Sequence, residues 1–372
     1  MRKQFAIFSM LVLNITIALA QKVTAISDVK LSGYGQIQYT GSDQEDSENN
    51  TFNLRIARVS LDGKAFQDFA WKLQFQANGN TSNLTNSLRI VDYFVEWQKH
   101  AEFKVKVGQY KRPFTFENPM NPIDQGFMSY GQGVTKLAGF SDRTGEHASN
   151  GRDLGLQFQG DFGKNLDGGK LIHYQVGIFN GQGINTKDVD NRKDFIGGFW
   201  VMPINGLRIG AFGWTGSSAR KGDWTDQDGK EHKSEVRSLE KNRYAISAEY
   251  CADDWTVRSE YIHSQGYAFK TQYQTAADAK DCTINDALGD KSDAFYALAI
   301  APLIKNKVHV KARYDLYRST GEWDKAKAMY EIGADYVFTR NLQISAEYCR
   351  VNDRSLAKHD YNQFDVELAF RF

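Results

Sequence analysis

From end to end, this chain alternates very short connections with long polar ones. The tight connections are Gln67-Asp68, Asn205-Gly206, Lys305-Asn306 and Arg340-Asn341, with "HAE" (100–102) and "ADD" (252–254) nearly as short. The long ones are 41–51, 78–87, 111–151, 181–194, 217–243 and 267–292. Two residues between extended segments fit only a hairpin turn. A sandwich or a propeller has no reason to gather every long connection at one end. An outer-membrane β-barrel does, with turns on the periplasmic side and loops outside.

The segments between these connections read as strands. They are Lys30–Thr40, Phe52–Phe66, Phe69–Ala77, Leu88–Lys99, Phe103–Tyr110, Arg152–Phe162, Leu171–Asn180 and Phe195–Ile204. The second half adds Leu207–Gly216, Ser238–Cys251, Trp255–Gly266, Asp293–Ile304, Lys307–Ser319, Ala328–Thr339, Leu342–Asp353 and Tyr361–Phe372. That makes about sixteen, an even number, many near the length of a tilted membrane-spanning strand. In "YNQFDVELAFRF", Phe364, Val366, Leu368, Phe370 and Phe372 alternate with Gln363, Asp365, Glu367, Ala369 and Arg371. Val308, Val310, Ala312 and Tyr314 likewise alternate with Lys311, Arg313 and Asp315, and Trp255 and Val257 with Arg258 and Glu260. One face is apolar and the other carries charges of both signs. Those charges need water around them, since burial would cost several kcal/mol each, so the interior is expected to be a water-filled channel, for which about sixteen strands leave room. The expectation is a transmembrane antiparallel barrel, apolar toward lipid, closing where Phe372 meets the first strand. Two places resist this pattern. Asp293–Ile304 is apolar on both faces, which leaves its register open. Arg55 and Arg58, three apart, cannot share a face without a bulge.

Composition separates the first twenty residues from the rest. Arg2 and Lys3 precede the apolar run "FAIFSMLVLNITIALA", and Ala18-Leu19-Ala20 has the small-x-small form of a cleavage site. Residues 1–20 therefore read as a secretory signal peptide and 21–372 as one domain. Taking Arg2 and Lys3 from the 46 basic residues leaves 44 against 45 acidic ones, a net charge of −1, which argues against nucleic acid as a partner. Cys251, Cys282 and Cys349 are too sparse for a disulfide scaffold. The seven histidines show no metal-ligand spacing, and no nucleophile elbow or phosphate-binding loop occurs, so the sequence offers no enzyme, metal or cofactor site. "DWTDQDGKE" (223–231) resembles a calcium loop, but Trp224 stands where the first carboxylate belongs, and the stretch reads as a polar turn.

The longest connection, 111–151, carries Phe114, Phe116, Phe127 and Phe140 and is too apolar for a free surface loop. It is expected to fold into the barrel and narrow it. Lys111, Arg112, Lys136, Arg143 and Arg152 would then line a constriction, with Arg58, Lys104 and Lys106 on the wall. Acidic wall residues such as Asp92, Glu96, Glu260 and Asp335 would oppose anions. A surface-binding barrel, using 217–243 and 267–292 as an adhesin or receptor would, is the rival from another class.

Four stretches, "VGQYKRPFTFEN" (107–118), "GRDLGLQFQG" (151–160), "YQVGIFNGQGIN" (174–185) and "DVDNRKDFIGG" (188–198), resemble the phosphate-selective porin O/P family. The resemblance implies a sixteen-stranded homotrimeric porin in outer-membrane lipid. It also implies a third long loop inside the channel, and arginines and lysines that pass small anions, phosphate among them, through a filter. Arg55 matches a family arginine of the second strand, and Asp92 a filter aspartate of the fourth. Tyr34 and Ile56 stand where phosphate-specific members carry arginines, with Arg58 nearby. The resemblance thus implies an anion preference more firmly than strict phosphate specificity.

Overall fold

A computed structural model describes residues 26–78 and 88–372. The signal-peptide reading lies outside the described residues. Sixteen strands form the wall. The first eight are β1 (Ile26–Ser42), β2 (Asn49–Ala65), β3 (Phe69–Ala77), β4 (Arg89–Trp97), β5 (Lys104–Lys111), β6 (Arg152–Lys164), β7 (Lys170–Phe179) and β8 (Asp194–Val201). The rest are β9 (Leu207–Thr225), β10 (Glu231–Ala252), β11 (Trp255–Gln265), β12 (Lys291–Ile304), β13 (Val308–Arg318), β14 (Ala326–Thr339), β15 (Leu342–Asp353) and β16 (Asp360–Arg371). Each pairs antiparallel with the next, and β16 pairs with β1, so the sheet is a closed barrel. Closure removes the unpaired edges that lipid could not satisfy.

The seam explains the aromatic C-terminus. Phe372 and Gly33 exchange both backbone hydrogen bonds at 3.0 Å. A Cβ on Gly33 would lie 2.3 Å from the Phe372 ring, and one on Gly35 would lie 2.5 Å from the Phe370 ring. Glycines on β1 therefore make room for the rings of β16. At the tight end, Asp253 and Asp254 both hold positive φ (52° and 70°), as the two-residue hairpin from β10 to β11 requires.

The faces separate as the period-two pattern demands. Val257, Val310, Tyr330, Ile332 and Phe370 are exposed, while Arg258, Glu260, Lys311, Arg313 and Glu367 are buried. An apolar band of this extent around a closed barrel calls for lipid, because single-copy soluble proteins rarely expose patches above a few hundred Å².

Three sequence readings change or resolve. Residues 217–243 are not a loop: β9 and β10 run through them and turn only at 226–230. Ser217, Ser218, Ala219 and Arg220 are buried in succession, and Leu239 and Trp224 pack on Phe269 and Cys282, so the alternation that marks the other strands is broken there. The register of β12 is fixed by Tyr296, Leu298 and Ile300, which are buried against Phe127 of the 112–151 connection, while Phe295 faces outward. Both faces of β12 are apolar because one meets lipid and the other meets this connection. Finally, β2 carries the bulge that Arg55 and Arg58 need. Gln36 pairs with Ile56 and Ile37 with Leu54, which leaves Arg55 without a β1 partner. All three cysteines are free.

Candidate functional site

The 112–151 connection packs against the charged face of the strands. Its rings form one cluster with that face: Phe114 meets Phe212 and Trp214 edge-on, and Phe116 meets Trp200 and Phe212. Its one helix, α1 (Gln132–Leu137), buries Val134 and Leu137 in the same cluster as Ile262 and Ala294. Along β7–β12 the connection thus covers an apolar patch set within the charged face.

Charged side chains pin the rest of the connection by its backbone. Glu260 accepts from Phe116 N and Glu117 N at 2.6 and 3.0 Å, Asp315 from Gln132 N at 2.8 Å, and Glu347 from Met128 N at 3.0 Å. Lys311 donates to Gly126 O at 3.0 Å, Arg313 to Ser129 O at 2.8 Å, and Arg243 to Leu137 O at 2.7 Å. Hydrogen bonds to charged groups contribute about 1.5–3 kcal/mol each. Some of these pins are also neutralised across the strands: Lys311 pairs with Asp335 and Glu347 at 2.7 Å, and Arg313 pairs with Glu331.

A buried ion network closes the outer end of the connection. Arg112, with no exposed surface, bridges Glu146 at 2.7 Å and Asp153 at 2.9 Å. Lys241 holds Glu146 at 2.9 Å and Asp194 at 3.3 Å, and Arg243 holds Asp142 at 2.7 Å. The Trp214 ring has Arg112, Lys241 and Arg243 each 4.7–4.8 Å from its centre and donates Nε1–H to Asp194 at 2.8 Å. Burial raises the Asp142 carboxyl, but Arg243 beside it pulls it well below the usual carboxylate range.

Each sequence candidate can now be placed. Arg112 lines no passage, because its charge is spent on Glu146 and Asp153. Lys111 caps the carbonyls of Asn118 and Met120 at 2.7 and 2.5 Å and the Tyr130 hydroxyl at 2.9 Å. Arg143 donates to the carbonyls of Gly266, Leu288 and Gly289, stapling the connection to the segment after β11. These three are internal struts, since a long side chain in a folded-back connection satisfies the nearest carbonyls. Lys136, half-buried at the end of α1, has no ion pair among the described residues; burial, then Lys327, lowers its pKa. Lys104 lies 3.4 Å from Asp161. Lys106 has no ion pair among the described residues and sits 4.0 Å from the Phe94 ring centre and 4.8 Å from that of Tyr110.

The remaining four gather on β1–β6 and β16, away from the apolar cluster. Arg152 clamps Asp92 with two nitrogens, at 2.5 and 3.3 Å. Arg55 holds Glu367 at 2.7 Å. Arg58 differs from both. Its Nε donates to Gln76 at 2.7 Å, its guanidinium lies 5.5 Å from the Tyr34 ring centre, and it makes no ion pair among the described residues. It is only 2% exposed, and Nη1 lacks any partner. Around it the wall is built of amides and hydroxyls: Gln36, Ser60, Gln74 and Gln76 are all buried.

Sequence reasoning missed Arg220, which lies in the part of 217–243 taken only for a loop, and Lys241 and Arg243, which fall in the strand expected over Ser238–Cys251 but whose carboxylate partners come from distant segments. Arg220 donates to the carbonyls of Gly145, Thr271, Asp278 and Asp281 and welds 267–283 to the connection. Among the described residues, no group of His, Cys, Asp or Glu could hold a metal ion.

Residues 29–193 match the family of phosphate-selective porins O and P. The match covers the first strands, the 112–151 connection and the Arg58–Asp92–Arg152 group. Solved outer-membrane barrels share this fold. Salmonella typhi OmpF in complex with daunomycin is similar at TM-score 0.63 and 14% identity over 92% of this chain and 97% of that one. OmpT of Vibrio cholerae in a trimer form is similar at 0.57 and 13%, over 93% and 99%. The outer membrane channel DcaP of Acinetobacter baumannii is similar at 0.56 and 11%, over 94% and 99%. No curated protein matches the chain. The barrel is one of the bacterial outer membrane.

Proposed function

We propose that this porin passes small anions by passive diffusion, as a homotrimer. In this reading the 112–151 connection lies in the lumen, and the passage runs along the β1–β6 and β16 wall. The observation that carries it is Arg58: a buried guanidinium without a carboxylate partner among the described residues, near Arg55 and Arg152, which are neutralised. In a narrow, partly desolvated passage one uncompensated cation lowers the entry cost of an anion, and its forked donors suit oxyanions. The Arg152–Asp92 pair supports the reading from the other side. A carboxylate near the cation limits retention, and conduction needs release as well as capture. Phosphate is a candidate solute through the family match. The inward struts, paired almost throughout, favour a modest preference over strict specificity.

The test is the reversal potential of the purified protein in planar bilayers across a KCl gradient. The wild type is expected to be anion-selective, and Arg58→Gln to lose most of that selectivity. A cation-selective wild type would refute the reading.

A further inference from the structure

Resting on the proposed anion passage, we propose that its constriction is built for a small anion that also carries hydroxyl groups, a sugar phosphate or sugar acid, rather than for bare phosphate. Three unpartnered polar atoms carry this inference: Arg58 Nη1, the Tyr34 hydroxyl and Gln36 Oε1. All three residues are less than a tenth exposed, at 2%, 8% and 2%. Arg58 stands opposite Tyr34 in the β1–β2 pairing, and Gln36 follows two residues along the same face of β1.

The chemistry of the three atoms differs. Arg58 Nη1 only donates and is cationic, so it takes an oxyanion. The Tyr34 hydroxyl can donate or accept. Gln36 Oε1 only accepts, and its identity is fixed because Gln36 Nε2 donates to Glu367 at 2.7 Å. An acceptor backed by a carboxylate repels a phosphate oxygen but welcomes a hydroxyl hydrogen. Residues two apart on one face of a strand lie roughly 7 Å from each other. That is about the reach from the phosphate or carboxylate of a hexose derivative to a hydroxyl further along its carbon chain. Bare phosphate cannot span it. The neighbouring amides of Gln74 and Gln76 extend the same wall of uncharged donors and acceptors. A filter for bare oxyanions would set further cations directly around Arg58, where this wall carries the amides and hydroxyl of Gln36, Ser60, Gln74 and Gln76; Lys106, which also has no ion pair among the described residues, stands apart on β5.

The experiment titrates glucose 6-phosphate, gluconate, inorganic phosphate and glucose against the channel current of the mature protein in KCl. The readout is the concentration that halves the current. Glucose 6-phosphate or gluconate is expected to act at about fivefold lower concentration than phosphate or glucose, as one added buried hydrogen bond allows. Whichever of the two acts at the lower concentration identifies the oxyanion, phosphate ester or carboxylate. Gln36→Met is expected to shrink the advantage over phosphate from about fivefold to about twofold or less, and Tyr34→Phe, which removes a single oxygen, to act in the same direction. Heat-modifiable migration on gels verifies that both variants fold. Phosphate blocking as well as both hydroxylated anions, or an advantage unchanged in both variants, overturns the proposal. Anion selectivity in the KCl gradient would then still stand, so failure here is distinguishable from failure of the anion reading itself.

Discussion

Removing Arg112 should loosen the 112–151 connection without opening the barrel wall. Arg112 is fully buried and bridges Glu146 and Asp153. In Arg112→Gln, Glu146 keeps Lys241 at 2.9 Å. Asp153 loses its only ion-pair partner among the described residues and retains the backbone N–H groups of Leu154 and Gly181, each at 2.8 Å. Breaking a buried pair costs about 3–5 kcal/mol, and the retained donors place this case at about 3. The wall does not depend on this pair, since the hydrogen-bond ladders on either side of β6 remain. The cost therefore falls on detachment of the connection, whose open population should rise about a hundredfold. Single-channel recordings should show a noisier, larger conductance, and limited proteolysis should cut within 112–151 while the barrel stays heat-resistant. The reasoning also predicts a partner effect: Arg112→Gln with Asp153→Asn should recover most of the loss, because the stranded charge is gone. Unchanged conductance and protease resistance in Arg112→Gln, or a double variant as loose as the single one, would show that the ion network is not what holds the connection.

Three further outcomes follow from the same geometry. Phe127→Ala should cost about 3–5 kcal/mol locally, because the ring is buried against Tyr296, Leu298 and Ile300; hydrogen exchange should rise in 120–131 and along β12. Arg220→Ala strips a donor from the carbonyls of Gly145, Thr271, Asp278 and Asp281, so proteases should nick 267–290 while the barrel stays intact. Burial pushes the Glu117 carboxyl up from 4.5 to about 7, against the pull of Arg258. A raised carboxyl favours the folded state below its ordinary pKa, and that contribution is lost as pH rises through about 7. The gap corresponds to on the order of 3 kcal/mol. Glu117→Gln, neutral throughout, should therefore gain in thermal midpoint over wild type from pH 5 to pH 8, and equal gains at both pH values would count against a protonated Glu117.

The barrel itself was legible in the sequence because its two faces meet different solvents. Lipid outside tolerates no charge and the inner side gathers it, so each wall strand carries a period-two signature, as in Val310/Lys311 or Val257/Arg258. Hairpin geometry adds the second signal, since only a turn such as Asp253-Asp254 can join strands across so few residues. The reading failed where those constraints end. In the β9–β10 hairpin the buried face packs Leu239 and Trp224 on Phe269 and Cys282 from a distant segment and interleaves them with polar residues, so the period-two signature is broken and Arg220 was hidden there. In β12 both faces are apolar because Phe127 supplies an apolar surface from a distant part of the chain. The roles of the cations were beyond the sequence altogether. Arg58, Arg112 and Arg152 are alike as letters, but one faces amides, one is locked between Glu146 and Asp153, and one is clamped to Asp92. Those partners lie up to 60 residues away along the chain. The sequence by itself determined a closed barrel with a lipid face, because lipid acts on every strand locally. Only the tertiary structure decided which positive charges are neutralised and which, like Arg58, meet amides instead, because neutralisation depends on which carboxylate the fold brings within hydrogen-bonding distance.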